Sequence, residues 1–211
     1  MKRQSLFPYK LYLVISESDC KGQNFLEVAE QAILGGVDII QLREKIDSTD
    51  TFIRKACQLR EITDKYQVPL IINDNLEVAK EVNPAGIHVG NNDVPPVEIR
   101  KQWDDTKCVG YSIEFLEQLE NEQVAVSDYL GISPVFSTPT KTDTVTEWGL
   151  EGIAEIRRLT DKPLVAIGNI HLHNAKSVVN AGADCIAVVS EICGTTNPQK
   201  AAYELKNEIL K

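Results

Sequence analysis

One pattern constrains this chain more than any other. A short β-rich apolar run is followed by a helical pattern, and the pair recurs from one end to the other. The runs are Leu11–Ile15, Val37–Leu42, Pro69–Ile72, Gly86–Val89, Lys107–Tyr111, Tyr129–Ile132, Leu164–Ile167 and Cys185–Val189. Phe25–Leu34 carries apolar residues at Phe25, Val28, Ala29, Ala32 and Ile33, a helical period. Phe52–Tyr66 does the same with Ile53, Ala56, Leu59 and Ile62. Further helices are expected over Leu76–Glu81, Pro95–Gln102, Ile113–Glu122, Leu150–Leu159, Leu172–Asn180 and Pro198–Leu210. Strands separated by helices pair in parallel, and eight such units predict an α/β architecture, a single (β/α)8 TIM barrel over residues 1–211. A doubly wound sheet would usually use fewer strands and a Gly-rich turn, and no G-x-G-x-x-G occurs. Gly36-Val37-Asp38 and Gly182-Ala183-Asp184 form a quasi-repeat, with Ser127-Asp128-Tyr129 a looser copy. The glycine suits a helix C-terminus and the next apolar run is a strand.

Charge narrows the function. The 31 acidic and 22 basic residues leave a net charge of −9, which argues against a general nucleic-acid binder or an electrostatic membrane anchor. No apolar stretch approaches the roughly 20 residues of a transmembrane helix. Pro8 and Lys10 interrupt the run after Lys2 and Arg3, so no signal peptide is expected. The five cysteines are scattered without a Cys-x-x-Cys pair, which predicts neither a zinc site nor a disulfide framework and suits a reducing cytoplasm.

A barrel places its chemistry at the C-terminal ends of its strands. The second strand ends in Gln41-Leu42-Arg43-Glu44-Lys45. Alternation puts Val37, Ile39, Gln41 and Arg43 on one face, with Lys45 if the strand continues, and Asp38, Ile40, Leu42 and Glu44 on the other. Two cations there suit a phosphate or diphosphate; alone, they read equally as a solvated charge cluster. Asn73-Asp74-Asn75 follows the third strand, and Asn91-Asn92-Asp93 follows Gly86-Ile87-His88-Val89-Gly90 at the fourth. Either segment alone reads as a turn or a helix cap, with Asn75 a candidate cap. Their pairing at neighbouring strand ends favours Mg²⁺, held by Asp74 and Asp93.

The loop from Ser133 to about Trp148 carries Thr138, Pro139, Thr140 and Lys141, whose hydroxyls, amides and lysine suit a phosphate, or it is a plain surface loop. Gly168-Asn169-Ile170 ends the seventh strand and Val188-Val189-Ser190 the eighth. Barrels often bind phosphate at these two positions, although both segments also read as ordinary turns. His88 suits a hydrogen-bonded structural role inside the barrel. His171 and His173 sit at a helix start without a third ligand nearby, which disfavours a transition-metal site.

As a set, these motifs resemble the thiamine-phosphate synthase family, over essentially the whole chain. The resemblance implies an enzyme that joins a pyrimidine diphosphate to a thiazole phosphate on a (β/α)8 barrel, releases diphosphate and uses Mg²⁺. Gln41, Arg43 and Lys45 match the family's Gln-x-Arg-x-Lys segment, which implies contacts to the pyrimidine diphosphate from the segment Gln41, Leu42, Arg43, Glu44 and Lys45. Asn73 would contact the diphosphate, and Asp74 and Asp93 the metal. Ser112, in Gly110-Tyr111-Ser112, would lie near the pyrimidine. Thr138, Pro139 and Thr140 would hold the thiazole substrate and Lys141 the diphosphate. Gly168, Asn169, Val189 and Ser190 would bind the thiazole phosphate. Arg43, Lys45, Ser112 and Lys141 form the implied catalytic group.

One position departs from the family. The usual Gly-Gly-Ile reads Gly168-Asn169-Ile170 here. Asn tolerates positive φ, but its side chain could narrow the pocket. The implied partners are small phosphorylated molecules, not nucleic acid or membrane, and a homo-oligomer stays open. The related thiazole tautomerase barrel uses a catalytic His after the sixth strand, where this chain has Ser133 and Pro134. Two other readings are a Schiff-base isomerase or lyase using Lys45 or Lys141, and a non-catalytic ligand-binding paralogue, for which Asn169 is the sole support.

Overall fold

Eight parallel strands close into a barrel in chain order: β1 (Leu11–Ile15), β2 (Ile39–Leu42), β3 (Leu70–Asn73), β4 (Gly86–Val89), β5 (Val109–Ile113), β6 (Tyr129–Ile132), β7 (Leu164–Ile167) and β8 (Cys185–Val188), with β8 paired to β1. The computed structural model describes residues 7–103, 108–137 and 146–211. Helices cover the outside: α1 (Phe25–Leu34), α2 (Thr49–Tyr66), α3 (Leu76–Val82), α4 (Pro96–Gln102), α5 (Glu122–Val126), α6 (Gly149–Leu159), α7 (Leu172–Asn180), α8 (Ser190–Cys193) and α9 (Pro198–Leu210). The architecture is the (β/α)8 barrel that the alternation predicts. Among the described residues, no helix is long and apolar enough to cross a membrane.

Strand parity divides the core into two layers. Leu11, Leu13 and Ile15 of β1 join Ile40, Leu42, Leu70 and Ile72 in the shell beneath the helices. Tyr12, Val14, Ile39, Ile71, Tyr129 and Val165 turn the other way and fill the barrel, where Phe7 packs on Tyr129 with ring centroids 4.8 Å apart. Polar caps start several helices. The side chains of Asn24, Asn75 and Asn197 accept the N–H groups of Leu26, Val78 and Lys200, each at 3.0 Å.

The quasi-repeat has a physical role in closing the barrel. Asp38 Oδ2 accepts the N–H groups of Lys10 and Leu11 at 2.8 and 2.9 Å. Asp128 does the same for Val109 at 2.7 Å, and Asp184 for Leu164 at 2.9 Å. Each repeated aspartate therefore ties the start of its own strand to the start of the preceding one. Each is also paired with a cation, respectively Lys206, Arg100 and Arg157. Asp184→Ala would strip both the Leu164 N–H and Arg157 of this acceptor. It should cost about 2 kcal/mol, read as a lower urea midpoint with an unchanged slope.

Several boundaries shift by one to three residues from those read in the sequence, and three of the differences have a visible cause or bear on the cavity. β2 starts at Ile39 because the Val37 N–H still closes the end of α1, bonding to Ala32 O at 3.1 Å. β5 extends to Ile113, in register with Ile132, so Ser112 lies inside the strand. The helix expected over Ile113–Glu122 is instead a 3₁₀ turn (Leu116–Glu120) followed by α5. Gln118 Oε1 takes the N–H groups of Glu114 and Phe115 at 2.6 and 2.9 Å, and Asn121 caps Val124 at 2.8 Å. These local side-chain bonds compete with a continuous helix.

Candidate active site

The C-terminal ends of the strands surround a cavity of about 320 Å³. Gln41, Arg43, Lys45, Asn73, Asp74, Asp93 and Ser112 line one part of it, and Gly168, Asn169, Val189 and Ser190 another. Eleven of the residues singled out in the sequence thus meet in one space. Two do not. Leu42 belongs to the apolar shell under the helices. Glu44 turns away from the cavity, and its Oε1 accepts the Glu17 N–H at 3.0 Å and Lys55 Nζ at 3.2 Å. Lys55 also meets Glu17 and Asp47 at 2.8 and 2.6 Å. Burial opposes the charge on Lys55, but the three carboxylates outweigh it and raise its pKa. This knot fastens the β2–α2 connection that carries Arg43 and Lys45. Thr138, Pro139, Thr140 and Lys141 lie outside the described residues.

A continuous hydrogen-bonded chain crosses the floor of the cavity. Gln41 Nε2 donates to Tyr12 Oη at 2.9 Å, and Tyr12 Oη lies 3.1 Å from Tyr129 Oη. Tyr129 Oη lies 3.0 Å from His88 Nδ1, and His88 Nε2 lies 2.9 Å from Ser112 Oγ. Gln41 Nε2 donates, and an arrangement of protons that runs the same way along the series fits every contact. In it Tyr12 donates to Tyr129, and Tyr129 to His88 Nδ1. His88 then carries its proton on Nε2 and donates to Ser112, leaving the Ser112 hydroxyl proton for the cavity. Burial pushes both phenols above their ordinary range, which keeps them protonated donors. Gly110 makes room for this chain: a Cβ there would lie 2.4 Å from both His88 Nδ1 and Tyr129 Oη.

His88 is the hydrogen-bonded interior residue that its sequence position predicts, but no local pattern marks its place between two cavity-lining hydroxyls. Tyr12 and Tyr129 are not singled out by any sequence motif. Their signal was strand parity, since each is a tyrosine at an inward position.

The carboxylates come next. Asp74 follows β3 with left-handed backbone (φ 60°), and its N–H bonds to His88 O on β4 at 2.8 Å. Such backbone clusters at functional sites. Gly90 N–H holds Asp93 Oδ2 at 2.8 Å. Burial first, and then the neighbouring Asp74 carboxylate, push the Asp93 carboxyl above the usual range. Lys45 forms an ion pair with Asp74. Two mutually repelling oxygen donors from adjacent strand ends fit a hard divalent cation. Among the described residues no group of three or more His, Cys, Asp or Glu could hold a metal, so the part of the site they form would offer Asp74 and Asp93 together with neutral protein groups, water or substrate oxygens.

The family profile described as Thiamine monophosphate synthase matches residues 11–192. The chain belongs to the thiamine-phosphate synthase family. The family's members are transferases of thiamine biosynthesis. A thiamine-phosphate synthase of Albidiferax ferrireducens is 42% identical over 200 residues, covering 95% of this chain and 91% of the relative. One from Alkaliphilus oremlandii is 39% identical over 211 residues, covering 99% and 100%. Thiamine phosphate pyrophosphorylase from Pyrococcus furiosus superposes with a TM-score of 0.86 at 30% identity, covering 96% of each chain. 3-Hexulose-6-phosphate synthase, at 16% identity and a TM-score of 0.67, shares the barrel alone.

Proposed function

We propose that the protein condenses 4-amino-2-methyl-5-(diphosphooxymethyl)pyrimidine with 4-methyl-5-(2-phosphooxyethyl)thiazole to give thiamine phosphate and diphosphate; the 2-carboxy form of the thiazole would give the same two products while losing its carboxylate as carbon dioxide and taking up a proton from water. The observation that carries this reading is the junction inside the cavity. A directed polar floor, ending in the Gln41 carbonyl and the Ser112 hydroxyl, adjoins a mouth that carries Arg43, Lys45 and the Asp74–Asp93 pair. An aminopyrimidine offers one donor and ring acceptors, which complement an amide acceptor and a hydroxyl donor. Its diphosphate suits the charged mouth.

Mg²⁺ held by Asp74 and Asp93 would neutralise negative charge on the diphosphate. Arg43 and Lys45 stabilise the charge that develops on it, and Lys141 is assigned to the same task. The bond from the methylene carbon to the diphosphate oxygen breaks, and its electron pair leaves with diphosphate. The 4-amino group delocalises the positive charge left on the methylene carbon. The thiazole nitrogen lone pair then forms the new C–N bond. That nitrogen has no proton to lose, so no general base is required. Asn73 is assigned to the diphosphate. Thr138, Pro139, Thr140, Gly168, Asn169, Val189 and Ser190 are assigned to the thiazole substrate. The protein's main contribution is positioning.

Turnover of the two substrates with Mg²⁺, followed as thiamine phosphate, tests this reading; a folded protein that forms none contradicts it. The floor has a test of its own. Tyr129→Phe removes the proton donated to His88 and should raise KM for the pyrimidine diphosphate about tenfold while sparing KM for the thiazole phosphate. A rise confined to the thiazole phosphate would remove the chain from the pyrimidine site.

A further inference from the structure

The turns after β7 and β8 are joined by a series of side chains, of which His171 and Glu191 have no part in the chemistry above. Asn169 has left-handed backbone (φ 52°) and lines the cavity, so the direction of its side chain matters there. That side chain is bonded. Asn169 Oδ1 lies 2.8 Å from His171 Nε2. His171 Nδ1 lies 2.6 Å from Glu191 Oε2, and Glu191 Oε1 accepts the Leu172 N–H at 3.1 Å. Asn174 fixes the turn from below: its Nδ2 donates to Asn169 O at 3.1 Å and its Oδ1 accepts the His171 N–H at 2.8 Å. The His171 ring also stacks on His173, with centroids 5.6 Å apart and planes 9° apart. His171 and Glu191 line a separate surface groove, not the cavity. Glu191 directly follows Ser190, so the bridge runs from one cavity-lining turn to the other.

We propose that Asn169, His171 and Glu191 form a clamp. It turns the Asn169 side chain out of the cavity and sets the spacing between the 168–170 and 189–190 turns. His171 and Glu191 are then positioning residues for the phosphate of the thiazole substrate. The proposal rests on the assignment of that substrate above and explains how a non-glycine residue is accommodated at its phosphate end.

The test is a double-mutant cycle on binding, read by calorimetric titration of the thiazole phosphate and, separately, of the pyrimidine diphosphate with Mg²⁺. His171→Ala should weaken thiazole phosphate binding about fivefold and leave pyrimidine diphosphate binding within about twofold. In an Asn169→Gly background the same substitution should change thiazole phosphate binding less than about twofold, because no side chain remains to be held. A helix-capping role alone would lower the melting temperature without this coupling. Equal losses in both backgrounds, equal losses for both ligands, or no loss at all would overturn the clamp. If His171→Ala does not fold, Glu191→Gln carries the same comparison with the same expected non-additivity. Wild-type protein that binds the thiazole phosphate but forms no thiamine phosphate contradicts the proposed reaction and leaves the clamp to be judged by the cycle. Wild-type protein that does not bind it overturns both.

Discussion

Asp93→Asn is expected to stabilise the metal-free protein and to slow turnover about 10²–10³-fold. Both effects share one cause. Burial and the Asp74 carboxylate raise the Asp93 pKa, so the folded protein holds that charge less readily than the unfolded chain. At low pH the group is protonated in both states and costs nothing. As pH rises, the unfolded chain ionises first, and the stability contributed by Asp93 falls until its elevated folded pKa has been passed. Asparagine keeps an oxygen for the Gly90 N–H and removes the repulsion. The variant should therefore melt about 2–4 °C higher at neutral pH, the shift that ~1 kcal/mol gives a domain of this size. The gain should vanish near pH 3. Mg²⁺ should raise the melting temperature of the wild type and much less that of the variant. Thermal melts at two pH values, with and without Mg²⁺, check the whole pattern. An Asp93→Asn protein with wild-type turnover would remove Asp93 from the site.

Arg43→Ala should have a comparable effect on rate, about 10²–10³-fold in kcat/KM, with the melting temperature nearly unchanged. Arg43 projects from the end of β2 on the inward face, beyond Gln41, and its own N–H is anchored to Ile15 O at 2.9 Å. Lys55 and its carboxylates hold the neighbouring Glu44, so truncating Arg43 leaves that connection fastened. Arg43→Lys should recover only part of the loss, because an ammonium is a point charge without the two-pronged geometry of a guanidinium. Steady-state kinetics in both substrates separate the cases. Full recovery by lysine would show that charge alone is needed at this position.

The parts of this molecule that were legible in the sequence are those that a local pattern encodes. Short apolar runs mark all eight strands and period-3.6 spacing marks most helices, because strands buried on both faces read as continuous apolar runs and helices bury one face. Strand parity separates Gln41, Arg43 and Lys45, which line the cavity, from Leu42 and Glu44, which do not. The motif assigned by resemblance runs through all five positions and did not make that distinction. What was illegible depends on register between distant strands. The chain from Gln41 to Ser112 draws on β2, β1, β6, β4 and β5, and no local spacing announces it. It further needs Gly110 opposite His88, a fact of pairing between β4 and β5. In the quasi-repeat the glycine marks a helix end, but the aspartate, which binds the start of the adjacent strand, has the larger structural role. The helix expected at Ile113–Glu122 failed because Gln118 and Asn121 offer the backbone better local partners than a continuous helix does.

The most direct measurement is a quenched single-turnover experiment on the wild-type protein with both substrates, in which thiamine phosphate and diphosphate are quantified in the same sample, with and without Mg²⁺. Alkyl transfer in this cavity predicts the two products in a one-to-one ratio, formed with Mg²⁺ and suppressed when it is chelated. Diphosphate released without thiamine phosphate, or folded protein that forms neither product with Mg²⁺ present, would contradict it.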